Sequence, residues 1–199
     1  LSPNGGVVGL WGSLAPEAAI SFFLGKISRP SEYWADVYGA ANAQYFAVAG
    51  AVEADLIADI RREVERALTE GISLQEFTRA FAAIVERRGW VHNGTPGWRA
   101  EIIYRTNLST AYAAGEWRAM RDPDTLSFMP YWEYRHSGSA HPRLQHRAWD
   151  GLILSAEDPW WSTHYPPNGW RCGCWVNAMT RRQAGARGRT TPDAAPAIT

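Results

Sequence analysis

Helical periodicity carries this chain as far as Met120 and then gives way, after Pro130, to short alternating runs. Upstream, apolar residues recur at three- and four-residue spacing, as in Leu56, Ile60, Val64 and Leu68, which is the mark of one buried helix face. Downstream, "YWEYRHSG" alternates and is aromatic, "DGLILS" reads as a turn feeding a short apolar strand, and "RCGCWVN" as another short strand. Such a chain can be neither a plain bundle nor a sandwich. The class it predicts is α+β: a multi-helix lobe over 1–126, then a small mixed lobe of short strands and loops over 127–180. Residues 181–199, rich in Arg, Gly, Ala and Pro without periodicity, read as a flexible tail or linker.

Within the helical lobe, Pro16-Glu17 opens a helix that Gly25 and Pro30 end. From Ser31 the positions Trp34, Val37, Tyr38, Ala41, Tyr45 and Val48 predict a second helix. A third follows Gly50, with Val52 to Leu68 as its stripe and Asp55, Asp59, Arg62, Glu63 and Arg66 on its outer face. Ser73 and Glu76 form a capping box for a fourth helix bearing Phe77, Phe81 and Ile84. A long helix from Trp98 to Met120 carries small residues, "STAYAAG", suited to close helix approach.

Twenty basic and twenty acidic residues give a formal net charge of zero, which argues against a general polyanion binder. Residues 1–130 carry 12 basic and 15 acidic side chains, and residues 131–199 carry 8 and 5, a mild asymmetry of −3 against +3. No run approaches the roughly 20 apolar residues that span a bilayer, and no membrane partner is expected. Two cysteines at i, i+2 are no disulfide framework and point to a reducing, cytoplasmic birthplace.

Chemistry-bearing residues concentrate in 136–174: His136, His141, His146, His164, Cys172 and Cys174. On a strand Cys172 and Cys174 would face one side. Two readings fit. Thiolates with imidazoles suit structural zinc, held by Cys172, Cys174, His146 and His164; alternatively both cysteines are small, reduced core residues. Catalysis is poorly served. His141 and His146, five apart around Pro142, do not match a ββα-metal nuclease. Ser139, His146 and Asp150 lack a nucleophile elbow, and nothing presents Cys172 at a helix N-terminus. Trp160, Trp161, Trp170 and Trp175 suit a core better than base stacking. Arg181, Arg182, Arg187 and Arg189 suit either phosphate contact or a solvated tail.

The ordered pattern is more specific than any one residue. Arg143-x-x-His146 is followed by Asp150-Gly151, Asp158-Pro159-Trp160-Trp161, Pro166-Pro167-Asn168-Gly169-Trp170 and Cys172-x-Cys174. This resembles the Mu F-like family of tailed bacteriophages, the minor head or head-morphogenesis proteins. "YFAVAG" (45–50), "RRGW" (87–90) and "RTNLSTAYAAGEW" (105–117) extend the resemblance over about residues 17–176. One departure is Gly173, where the family usually has Arg. The resemblance implies a low-copy virion protein inside the head, assembled in the host cytoplasm and associated with the portal and inner capsid proteins, with non-specific contact to packaged DNA and no enzymatic activity. Some relatives carry toxin domains beyond this region. The rival reading is a metal-dependent nuclease or toxin-carrier module of prophage origin.

Overall fold

The computed structural model describes residues 15–37 and 44–197. The fold is α+β and divides into two compact units, 16–115 and 116–199. The boundary falls inside a long helix rather than at 126/127, where the change of sequence texture would put it.

The first unit is built on helices α1 (Ala15–Leu24), α2 (Ala54–Thr69), α3 (Leu74–Arg88) and most of α4 (Pro96–Met120). Burial follows the sequence stripe: Leu56, Ile57, Ile60, Val64 and Leu68 of α2 pack with Phe77, Phe81 and Ile84 of α3 and with Ala100, Ile103 and Ala111 of α4. The capping box forms at the head of α3. Ser73 Oγ accepts from Glu76 N at 3.2 Å, and Ser73 N donates to Glu76 Oε2 at 2.9 Å. Gly89, at φ 61°, ends the helix in the left-handed region that glycine tolerates.

Where the chain is described, the helix expected from Ser31 to Val48 is not continuous: Gln44 is α-helical, residues 31–37 and 45–48 are not, and Tyr38 and Ala41 lie outside the described residues. Ser31 bridges Ala51, Trp34–Val37 makes one 3₁₀ turn, and β2 (Tyr45–Phe46) pairs in parallel with β1 (Ile27–Ser28). The reason is local. The Asp36 carboxylate accepts from the backbone N–H groups of Glu32 and Tyr33, both at 2.9 Å, and so satisfies a tight turn. Phe46 and Val48 are both buried, a two-residue period that the helical spacing of Tyr45 and Val48 disguised.

Asp59 is a second correction. Assigned to the outer face of α2, it is only 5% exposed. Arg87 and Arg88 of α3 donate to its Oδ2 at 2.9 and 2.8 Å, and Arg62 to its Oδ1 at 3.3 Å. The carboxylate thus ties α2 to α3 at the edge of the core.

The second unit centres on β3 (Tyr131–Arg135), flanked by antiparallel β4 (Ile153–Ser155) and β5 (Trp175–Met179) in the order β4-β3-β5. Glu133 pairs with Ile153 on one side and Asn177 on the other. Short helices α5 (Pro123–Phe128), α6 (Leu144–Ala148), α7 (Trp161–His164) and α8 (Arg181–Ala186) complete it. One face of β3 sends Trp132 and Tyr134 into an aromatic core with Trp149, Trp160 and Trp161. The opposite face presents Glu133, which Arg187 and Asn177 meet.

Residues 181–193 are therefore no loose tail. Thr180 and Gln183 form a capping box for α8, and Ala184 is buried against Ile153 and Met179. Asp193 closes the segment onto β4: Ile153 N donates to its carboxylate at 2.9 Å, and its own N donates to Ile153 O at 2.8 Å. Polar partners rather than an apolar stripe hold this stretch, which is why periodicity missed it. No helix among the described residues is long and apolar enough to cross a membrane.

The arginine bonds, Arg87 foremost and then Arg88, hold the Asp59 carboxyl below the usual carboxylate range despite some desolvation. A depressed folded pKa stabilises above the unfolded value of about 4, and that stability is lost as pH falls through the folded value. Asp59→Asn should cost about 1.5–3 kcal/mol at neutral pH, the range for hydrogen bonds to charged groups. Denaturant unfolding at several pH values checks this: the gap between wild type and variant should shrink steadily in acid below about pH 4.

Candidate functional site

A five-residue helix such as α6 has no stability of its own, since nucleation alone is unfavourable. It is held from both ends. Arg143, just before it, donates from Nη2 to Trp170 O at 2.6 Å. Asp150, just after it, accepts at Oδ1 from Arg135 Nε at 3.0 Å and from His136 N at 2.9 Å. Burial works against the Asp150 carboxylate, but these donors outweigh it and its pKa lies below the ordinary range. Gly151, at φ 82°, then turns the chain so that its N–H reaches Tyr134 O at 2.9 Å. The spaced motif Arg143-x-x-His146…Asp150-Gly151 is thus a clip that fixes α6 against β3 and the loop before β5.

His146 sits at the middle of that clip, buried, its ring stacked on Trp149 at 5.4 Å and 18°. Its Nδ1 lies 3.6 Å from Cys172 Sγ and 3.7 Å from Cys174 Sγ. The ligand atoms of the three residues all lie within 4.8 Å of one another. The cysteines converge without belonging to a strand, because β5 begins only at Trp175. Gly169 (φ 91°) and Arg171 (φ 58°) instead carry the chain through left-handed backbone into the Cys172–Cys174 segment. Pro166 is buried just upstream, and the Pro166–Pro167 peptide is cis. Gly173 approaches Ser137 so closely that an added Cβ would lie 3.1 Å from the serine Cβ. That contact suits glycine at this position.

The two thiols are shifted in opposite directions. Hydrogen bonding to Cys174, then burial, pushes the Cys172 thiol up, while the same bond from Cys172 draws Cys174 down against its desolvation. Tyr134, which the alternation of β3 aims inward, is part of the same cluster and was not singled out by the sequence. Burial and then the neighbouring Cys174 raise its phenol. Its hydroxyl oxygen is nonetheless buried without a hydrogen-bond partner of sound geometry, so the sulfur is near but not aligned.

Other histidines of the sequence cluster lie elsewhere. His164 is stacked on Trp160 at 4.3 Å and 11°, with Nδ1 near Thr163 Oγ1 (2.7 Å) and Trp160 O (3.2 Å). It does not join the group of His146, Cys172 and Cys174. His136 accepts from Gly138 N, and His141 is exposed. Asp158 accepts from Trp160 N at 2.9 Å, and Trp161 donates from Nε1 to Ser155 O at 2.9 Å, so both anchor the turn after β4. Trp160 and Trp161 are core residues, and Arg187 and Arg189 are engaged by Glu133 and Asp193. Arg181 and Arg182 are exposed.

Among known families, the one described as Phage Mu protein F like protein matches residues 58–177. Protein F of Escherichia phage Mu, named for capsid assembly, is 35% identical over 182 residues, covering 84% of this chain and 41% of that protein. The Mu-like prophage FluMu F protein of Haemophilus influenzae is 32% identical over 166 residues, 78% of this chain and 39% of its own. The chain thus spans about two fifths of the length of these relatives. No solved structure matches it.

Two glycines should respond oppositely to alanine. An added Cβ meets nothing within 4 Å at either Gly151 or Gly185. At Gly151 the left-handed backbone alone should make Gly151→Ala cost about 1–2 kcal/mol. Inside helix α8, Gly185→Ala should stabilise by about 0.5–1 kcal/mol. Chemical denaturation of the two variants measures both signs.

Proposed function

This chain belongs to the Mu F-like family of phage proteins, and from that premise we propose that it serves head morphogenesis in a tailed phage, as a minor component inside the head. The observation that carries the reading is the extent of the family match. It takes in α2 to α4 of the first unit and runs through the α6 clip to β5 of the second. The name of the phage Mu relative, which refers to capsid assembly, supports the direction. The portal and the inner capsid surface are the proposed partners. Packaged DNA is a weaker contact, served by the exposed Arg181 and Arg182 and limited by a net charge of zero. The reading is non-enzymatic. The Asp150 carboxylate is engaged by Arg135 and the His136 amide, and His146 turns Nδ1 to the thiols, so neither is poised as an acid or base beside a substrate.

Crosslinking mass spectrometry on purified procapsids should return links between this chain and portal subunits; links to tail proteins alone would overturn the proposal. Purified protein incubated with magnesium, manganese or zinc should leave DNA and RNA intact. Degradation that disappears in folded His146→Ala would favour the nuclease reading instead.

A further inference from the structure

We infer that His146, Cys172 and Cys174 form a zinc site, a three-ligand Cys2His set. The geometry is the first argument. Zinc–sulfur bonds of about 2.3 Å and zinc–nitrogen bonds of about 2.0–2.1 Å, set at the tetrahedral angle, place sulfur about 3.6 Å from nitrogen. The two sulfurs stand 3.6 and 3.7 Å from His146 Nδ1. Both nitrogen–sulfur spacings thus match that value, and the three ligand atoms lie within 4.8 Å of one another.

The second argument is how the ligands are held. His146 comes from α6, which Arg143 and Asp150 fix at its two ends, and its ring plane is set by Trp149. Locked imidazole orientation is what outer-shell groups give metal sites. The cysteines come from a different segment, 26 and 28 residues further along the chain. A bound ion would therefore join α6 to the strand β5 that follows the cysteines.

The third argument is the buried Tyr134 hydroxyl with no aligned partner. A thiolate fixed on a metal is a strong acceptor, and it would give the phenol beside Cys174 the partner it lacks. Soft thiolates with one imidazole select zinc over magnesium or calcium, which prefer oxygen ligands. His164 has no part in the set, since its ring is engaged with Trp160 and Thr163.

The test is a metal titration of the whole chain, reduced and stripped with a chelator, using zinc and then cobalt(II) as a spectroscopic stand-in. One equivalent should saturate the protein, and the cobalt form should show thiolate-to-cobalt charge transfer with tetrahedral d–d intensity. Cys172→Ser, Cys174→Ser and His146→Ala should each weaken binding by more than about 100-fold, beyond the range of an outer-shell residue. His164→Ala should bind as the wild type does. A folded, reduced wild-type protein that takes up no zinc would overturn the inference without any variant having to fold. So would His164→Ala losing metal as His146→Ala does. Neither outcome bears on head assembly, which the crosslinking measures separately.

Discussion

The second unit depends on one strand being buried on both faces. Trp132 and Tyr134 of β3 are fully buried on one side, and Glu133, 2% exposed, on the other. A lone buried carboxylate is costly unless it is paired. The pairing comes from Asn177 on β5 and from Arg187 beyond α8. An acid at the centre of the sheet therefore requires the chain to return after β5. Residues that look like a tail become the cover of the sheet, and the Asp193 bonds to Ile153 finish the β4 edge that would otherwise stay open.

The same strand sets up the candidate site. Tyr134 packs edge-on against Trp149 and Trp160, and Trp149 in turn stacks on His146. Aromatic edge-to-face and stacked contacts fix ring planes as well as burying area. Arg143 and Asp150 then hold α6 by charge-assisted hydrogen bonds, which are stronger and more directional than neutral ones. A helix too short to persist alone becomes a rigid mount for one imidazole. In the first unit Asp59 plays a comparable part, a buried carboxylate that ties α2 to arginines of α3.

This arrangement gives the ordered motif a physical meaning. Arg143, Asp150, Gly151, Asp158, Trp161 and Gly169 act in this chain as anchors, turns and core. The proposed role in head morphogenesis calls for a shape that survives assembly. A motif spent on fixing a small lobe is consistent with that need. Gly173 fits the same account, because close approach to Ser137 leaves little room for a side chain directed that way.

The sequence by itself determined the elements whose signals are local. The α2 stripe, the Ser73–Glu76 box, the inward alternation of β3 and the α+β class all follow from spacing and short-range hydrogen bonds, which neighbouring residues supply. The convergence of Cys172, Cys174 and a histidine was also legible, but not which histidine. His146 and His164 are equivalent on paper; only the tertiary packing decided, by stacking one on Trp149 toward the thiols and the other on Trp160. Asp59, Glu133 and the segment after Thr180 were decided the same way. Whether a charged residue is solvated or buried depends on partners dozens of residues distant, such as Arg88 for Asp59 and Arg187 for Glu133, and no local period encodes that distance.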